Sequence, residues 1–120
     1  MTDRKLLELA AKAAGIALSH WNDGLEPYSS GEGYVLLDNR LWNPLTDDGD
    51  AFRLAVKLRM LVDIRYRSPG AIRYNSVTYW VDPLLGQVIE FGDMETCLRA
   101  ATRRAIVRAA AELAKQEVKV

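Results

Sequence analysis

The feature that most restricts the fold is a change in the spacing of apolar residues in the centre of the chain. Val62, Ile64 and Tyr66 alternate with charged residues, which is the two-residue period of a half-buried β-strand. The alternation returns in two further runs, and the breaks between runs fall at the proline-containing turns 68–70 and 82–86. Links this short cannot carry a parallel crossover, so the segment predicts an antiparallel meander of three strands.

On both sides of this meander, apolar residues recur every three or four positions, which predicts helices. The first helix is predicted from Asp3 to about Ala14, with Thr2 or Asp3 as its N-cap and Gly15 as its stop. The second is predicted from about Asp48 to Leu58. The third is long and alanine-rich, and Asp93 caps its start.

The order of these elements predicts one α+β domain over residues 1–120. Its small antiparallel sheet has three to four strands, the fourth being a short strand at 34–37. The remaining residues of 19–33 and 39–50 are predicted as loops. The N-terminal helix, the short middle helix and the long C-terminal helix then pack on the sheet. The predicted buried face of the last helix is Leu98, Ala101, Ala105, Ile106, Ala109 and Leu113.

Few residues are available for metal binding or catalysis. The 120 residues hold one cysteine, Cys97, and one histidine, His20, which excludes Cys-rich and multi-histidine metal sites. The acidic run 47–50 is similar to the start of an EF-hand, but the twelfth position, where calcium needs a glutamate, is Leu58. Helix capping is the preferred interpretation of these acids. We expect no enzyme activity, no metal and no cofactor.

The chain is also expected to act in the cytoplasm of a bacterial host, away from membranes. No apolar run approaches the roughly 18 residues that cross a bilayer. The first twenty residues carry five charges (Asp3, Arg4, Lys5, Glu8 and Lys12) and no signal-peptide core.

Charge is unevenly distributed although 16 basic and 16 acidic residues cancel. The segment 53–73 holds six basic residues and one acid, and it runs directly into the aromatic pair Tyr79 and Trp80. Arginine beside aromatic rings is typical of binding surfaces. A solvated sheet face that resists aggregation is the open alternative, as is a core-closing role for Trp42 and the other loop aromatics. The candidate binding residues are Arg65, Arg67, Arg73, Tyr79, Trp80 and Trp42.

Three segments together resemble a known group of proteins. They are 42–58 (WNPLTDDGDAFRLAVKL), 100–112 (AATRRAIVRAAAE) and 7–15 (LELAAKAAG). They are similar to segments of small uncharacterised proteins of tailed phages and prophages, the NinX-like phage group. The resemblance implies a phage origin and carries no catalytic residue over to this chain. The middle, 59–92, lies outside the resemblance and is predicted to hold the individual specificity.

The function expected from these observations is binding. We expect a non-catalytic phage or prophage accessory protein that binds a host factor, either as a counter-defence inhibitor or by sequestering a nucleotide signal. Its partner would be a host protein or a nucleotide-type small molecule. Nucleic-acid binding through the sheet or the last helix is the alternative, although the neutral net charge argues against it. Sheet edges and an uncovered sheet face also favour a homo-oligomer.

Overall fold

The computed structural model describes residues 2–24, 31–65, 74–81, 84–91 and 95–117. The helices in these ranges are α1 (Asp3–Ala14), α2 (Asp48–Lys57) and α3 (Glu95–Glu117). The strands are β1 (Leu18–Asn22), β2 (Gly33–Leu36), β3 (Leu41–Trp42), β4 (Leu61–Arg65), β5 (Tyr74–Val81) and β6 (Leu84–Phe91). The predicted α+β class is confirmed, with an N-terminal, a middle and a long C-terminal helix around antiparallel sheet.

The predicted meander is the sheet β4-β5-β6, in which both pairs of strands are antiparallel. Strand β5 is continuous through Asn75 and Ser76, because it is the central strand and pairs on both sides. Strand β6 begins at Leu84, inside the predicted turn, and pairs there with Val81. The predicted extension of β4 to Arg67 lies outside the described residues, as does the Asp93 cap.

A second sheet, β1-β2-β3, was missed by the sequence prediction. Strand β2 covers most of the short strand predicted at 34–37, but its partners β1 and β3 were assigned to loops. Trp21 pairs with Tyr34, and Tyr34 also pairs with Trp42 on the other side. The two outer strands are short and are flanked by turn-forming residues. Their pairing depends on hydrogen bonds across the sheet, so their sequences show little of the alternation that predicts a strand.

Helix α3 packs against α1, α2 and all three strands of the meander. Three consecutive residues, Ala105, Ile106 and Val107, are buried, and successive helical residues point about 100° apart. The helix is therefore covered on more sides than the single predicted face. The small alanine side chains let its neighbours approach closely. The buried residues of α3 are Ala101, Ala105, Ile106, Val107, Ala109, Ala110, Ala111 and Ala114.

Both ends of α1 follow the prediction. The Thr2 hydroxyl accepts a hydrogen bond from the Lys5 amide at 3.2 Å, which caps the first turn. Gly15 takes a left-handed conformation with φ +69°, and the amide of Ile16 reaches back to the Ala11 carbonyl at 2.9 Å. These two caps fix the length of α1, and its buried side packs against α3.

Gly33 is the glycine whose replacement should disturb the fold most directly. A Cβ added there would lie 2.9 Å from the Trp42 carbonyl oxygen and 3.0 Å from Asn43 Cβ. We expect Gly33→Ala to lower the free energy of unfolding by about 1–3 kcal/mol, measured by urea titration. Gly49→Ala is the control, because its Cβ would meet side-chain ends and no backbone: the Arg53 guanidinium at 3.1 Å and the Asp47 carboxylate at 3.2 Å. Equal stability of the two variants would contradict the close approach of β2 and β3.

Candidate functional site

The segment 42–50 forms a hydrogen-bonded corner between β3 and α2. The amide of the buried Asn43 donates to Asp50 Oδ2 at 2.9 Å, and its Nδ2 donates to the Glu32 carbonyl at 2.9 Å. Asn43 Oδ1 accepts from the Leu45 amide at 3.0 Å. Asp50 is buried as well and also accepts from Arg53 at 2.8 Å. Burying polar groups is tolerated here because each has its partners, so this corner is part of the scaffold.

The acids that suggested calcium are used by the protein itself. Asp47 Oδ2 accepts from the Asp50 amide at 2.8 Å and is the N-cap of α2, as the capping interpretation predicted. Asp48 accepts from Arg103, and Asp50 is held as described above. Asp47 and Asp50 line a polar cavity of about 610 Å³ beside Glu32 and Arg53. Their hydrogen bonds build the start of α2.

Arg103 joins the last helix to this corner. Its Nε donates to the Leu45 carbonyl at 2.8 Å, and its Nη1 donates to Asp48 Oδ1 at 2.5 Å. Arg99 lies 3.8 Å from the same carboxylate, and Arg104 pairs with Asp3 of α1 at 3.2 Å. Helix α3 therefore holds both the corner before α2 and the start of α1.

An open groove lies between α2 and α3, with the start of β4 at one end. Its volume is about 590 Å³, which is within the range of ligand-binding clefts. Two of its apolar side chains are largely in solvent: Phe52 is 69% exposed and Val56 is 59% exposed. Contiguous exposed apolar surface of this kind marks interaction sites in soluble proteins. The apolar lining residues are Phe52, Ala55, Val56, Met60, Val62 and Ile106.

Positive charge surrounds this apolar surface. Among the residues that the structure describes, Arg59, Arg99 and Arg103 line the groove together with one acid, Asp48, which gives these four a formal charge of +2. Arg99 and Arg103 share the Asp48 carboxylate, whereas the side chain of Arg59 makes no hydrogen bond or ion pair within the described part of the chain. The groove can therefore receive a group that is apolar on one side and anionic on another.

The groove was not among the sequence predictions, although α2 carried a signal for it. Helix α2 buries Ala51, Leu54 and Ala55, which recur at helical spacing. Phe52 and Val56 lie four residues apart on a different side of the helix. A second apolar stripe on a short helix indicates a second contact surface, and that stripe becomes one wall of the groove.

The binding residues predicted from sequence are spread over the fold. Arg65 pairs with Tyr74 at the start of β5, and Trp80 lies six residues further along, which is about 20 Å in a strand. Tyr79 is the residue before Trp80. Arg67 and Arg73 lie outside the described residues. The binding roles of these five residues stay predictions.

Trp42 is placed differently from the other candidates. Its side chain is 3% exposed and belongs to the hydrophobic core, which is the core-closing alternative considered for the loop aromatics. The ring is therefore inaccessible to a partner in this structure. Its neighbour Asn43 also faces inward, and together they anchor the corner below α2.

His20, the one histidine of the chain, lies on β1 and is exposed. Its Nδ1 is 3.1 Å from the hydroxyl of Ser19. Cys97 lies in the first turn of α3. Within the described ranges, no group of three or more histidine, cysteine or carboxylate side chains is arranged to hold a metal ion.

A separate polar cluster fastens α1 to the second sheet. The buried Tyr34 hydroxyl donates to Glu8 Oε1 at 2.6 Å, and the Tyr34 ring meets Trp21 edge to face at 5.1 Å. The Arg4 guanidinium lies 4.8 Å from the centre of the Trp21 ring. Burial, and then the hydrogen bond to Glu8, raise the pKa of Tyr34 above its usual range. We interpret this cluster as a structural contact.

Comparison with known proteins finds no matching family model, curated protein or solved structure. Among the described helices, none combines the length and the apolar composition that a bilayer crossing requires. The function proposed below therefore rests on the groove between α2 and α3.

The contact between Arg103 and the corner should contribute more to the free energy of unfolding than the contact between Arg99 and the corner. Arg103 is only 18% exposed and makes charge-assisted bonds to two groups. We expect Arg103→Gln to cost about 1.5–3 kcal/mol in the free energy of unfolding. Arg99→Gln removes the longer, exposed contact to the same Asp48 carboxylate and should cost less than about 1 kcal/mol. Urea titration of both variants checks this order, and a reversed order would contradict it.

Tyr34 should make stability fall in alkali. Its pKa is raised in the folded state, so the protonated phenol stabilises the fold fully below about pH 10, the unfolded value. That contribution is lost as the pH rises through the folded pKa. Tyr34→Phe should cost about 1 kcal/mol at neutral pH and flatten this alkaline decline. Unfolding free energies measured across that range test the prediction, and parallel curves for wild type and variant would refute it.

Proposed function

We propose that the protein is a phage or prophage accessory protein that acts by binding a host factor in the groove between α2 and α3. The observation that carries this proposal is the pair of solvent-exposed apolar side chains, Phe52 and Val56, in a cleft of about 590 Å³. Leaving such surface in water is unfavourable, and a partner that covers it gains about 25 cal/mol for each Å² of apolar area. A counter-defence inhibitor that covers a host protein would use a surface of this kind.

The charged lining supports binding of a protein partner. Aromatic and arginine side chains are the residue types that dominate the energetics of protein interfaces. Phe52 supplies the aromatic ring, and Arg59 and Arg99 supply guanidinium groups on the same lining. These lining residues differ from the binding residues predicted from the sequence, whose roles stay predictions.

Nucleic-acid binding by the last helix has less support. Phosphate contacts need arginines that are available to solvent. Arg103 is mostly buried and bound to Leu45 and Asp48, and Arg104 pairs with Asp3. A nucleotide-type small molecule stays in competition with a protein, because its base could stack on Phe52 and its phosphates could meet Arg59.

Affinity capture from the bacterial host tests the proposal. Wild-type protein, Phe52→Gln and Leu37→Gln are immobilised, and bound proteins and nucleotides are identified by mass spectrometry. Leu37 is the matched control, because it is 73% exposed and lies in the turn after β2, outside the groove lining. We expect one specific partner to be retained by wild type and Leu37→Gln and depleted at least about tenfold by Phe52→Gln, a difference of some 1.4 kcal/mol.

Circular dichroism of the three proteins should be identical, because both substituted side chains are exposed. Equal recovery of every bound species on wild type and Phe52→Gln would remove the groove from the proposed function. Recovery of a nucleotide in place of a protein, with the same dependence on Phe52, would assign the groove to signal sequestration.

A further inference from the structure

We propose that the groove takes a short acidic amphipathic helix of a partner protein and that Arg59 is the residue that selects its carboxylates. This inference rests on the proposed function and names the chemistry of the partner. It is carried by three observations: the backbone conformation of Arg59, the excess of positive charge on the lining and the helical walls of the groove.

Arg59 occupies a position that normally favours glycine. Helix α2 ends in a pattern in which the Met60 amide donates to the Ala55 carbonyl at 2.9 Å and the Arg59 amide donates to the Val56 carbonyl at 3.1 Å. The residue at this position must be left-handed, and Arg59 has φ +54°. Glycine adopts this conformation without a steric penalty, whereas a residue with a Cβ does not. A residue that lines a groove and has a strained backbone conformation is a candidate for a binding role.

The charge of the lining selects the sign of the occupant. Asp48 lies within salt-bridge distance of both Arg99 and Arg103, so one carboxylate serves two guanidinium groups. The Arg59 side chain has no such partner among the residues that the structure describes. An occupant that brings carboxylates would satisfy Arg59 and complete the pairing around Arg99. A cationic occupant would be repelled.

The walls of the groove favour a helix as the occupant. One wall is α2, which presents Phe52 and Val56 one turn apart, and the other is α3, which presents Thr102 and Ile106 at the same spacing. Ridges with this spacing are the surface against which a third helix packs. An amphipathic helix places apolar side chains at i, i+3, i+4 and i+7 into such a groove, and its flanking positions remain free for acids.

Two synthetic peptides of about 14 residues serve as probes, long enough for some 20 Å of helix. Both carry leucine at the i, i+3, i+4 and i+7 positions. One has glutamate and the other glutamine at every remaining position, so they share their length and apolar pattern and differ in charge and in the helix content that repulsion between glutamates lowers. Fluorescence anisotropy measures their binding to wild type, Arg59→Gly, Arg59→Lys and Phe52→Gln.

We expect wild type to bind the glutamate peptide at least about tenfold more tightly than the glutamine peptide. Arg59→Gly should lose most of this preference through weaker binding of the glutamate peptide, and Arg59→Lys should retain part of the preference. Arg59→Gly should also melt at a higher temperature than wild type, because glycine relieves the left-handed backbone. That gain separates loss of a contact from loss of the fold.

Several outcomes would overturn the inference. They are the absence of glutamate-peptide binding to wild type, equal affinity for the two peptides, an undiminished preference in Arg59→Gly, and displacement of the glutamate peptide by a single-stranded oligonucleotide. If the two peptides bind equally well and Phe52→Gln still abolishes binding, the acidic partner and the role of Arg59 are refuted, whereas the proposed function of the groove stands. Host capture that is indifferent to Phe52→Gln would instead refute the proposed function itself.

Discussion

Burial of α3 from several directions sets the geometry of everything around it. The helix can be enclosed because alanine removes the volume that would otherwise keep its neighbours away, as at Ala105, Ala109 and Ala110. Close contact alone would leave α2 free to slide along α3. Arg103 prevents this by holding the Leu45 carbonyl and Asp48 at once, so the position of α2 on α3 is fixed by directional bonds. The groove lies between these two helices, where Phe52 and Val56 are exposed.

The corner between β3 and α2 belongs to the framework of the fold. Trp42 is a core residue, the Asn43 amide donates to Asp50 in the interior, and Asp47 starts α2. Arg103 of α3 completes the same corner. These residues would be needed by any protein with this framework, whatever it binds. Binding specificity then belongs to residues that the framework tolerates but does not require, and Phe52, Val56 and Arg59 are of this kind.

Much of the fold could be predicted from local pattern. The ends of α1 follow from Thr2 and Gly15, and the meander follows from the alternation that begins at Val62. The second sheet could not be predicted in the same way, because β3 is only two residues long and is defined by its partner Tyr34. The groove between α2 and α3 was not predicted. Exposure of Phe52 depends on how α2 sits on α3, and that depends on an Arg103 contact with Asp48 that spans 55 positions of the chain.

The placement of α3 late in the chain has a consequence for biosynthesis. Residues 3–57 emerge from the ribosome first, yet α1 and α2 bury their apolar sides against a helix that has not yet been made. Contacts such as Arg104 with Asp3 close a loop of about one hundred residues, so they form only after translation has passed α3. Until then the nascent chain exposes the faces of α1 and α2 that pack on α3, and it is at this stage that chaperones would have access to it.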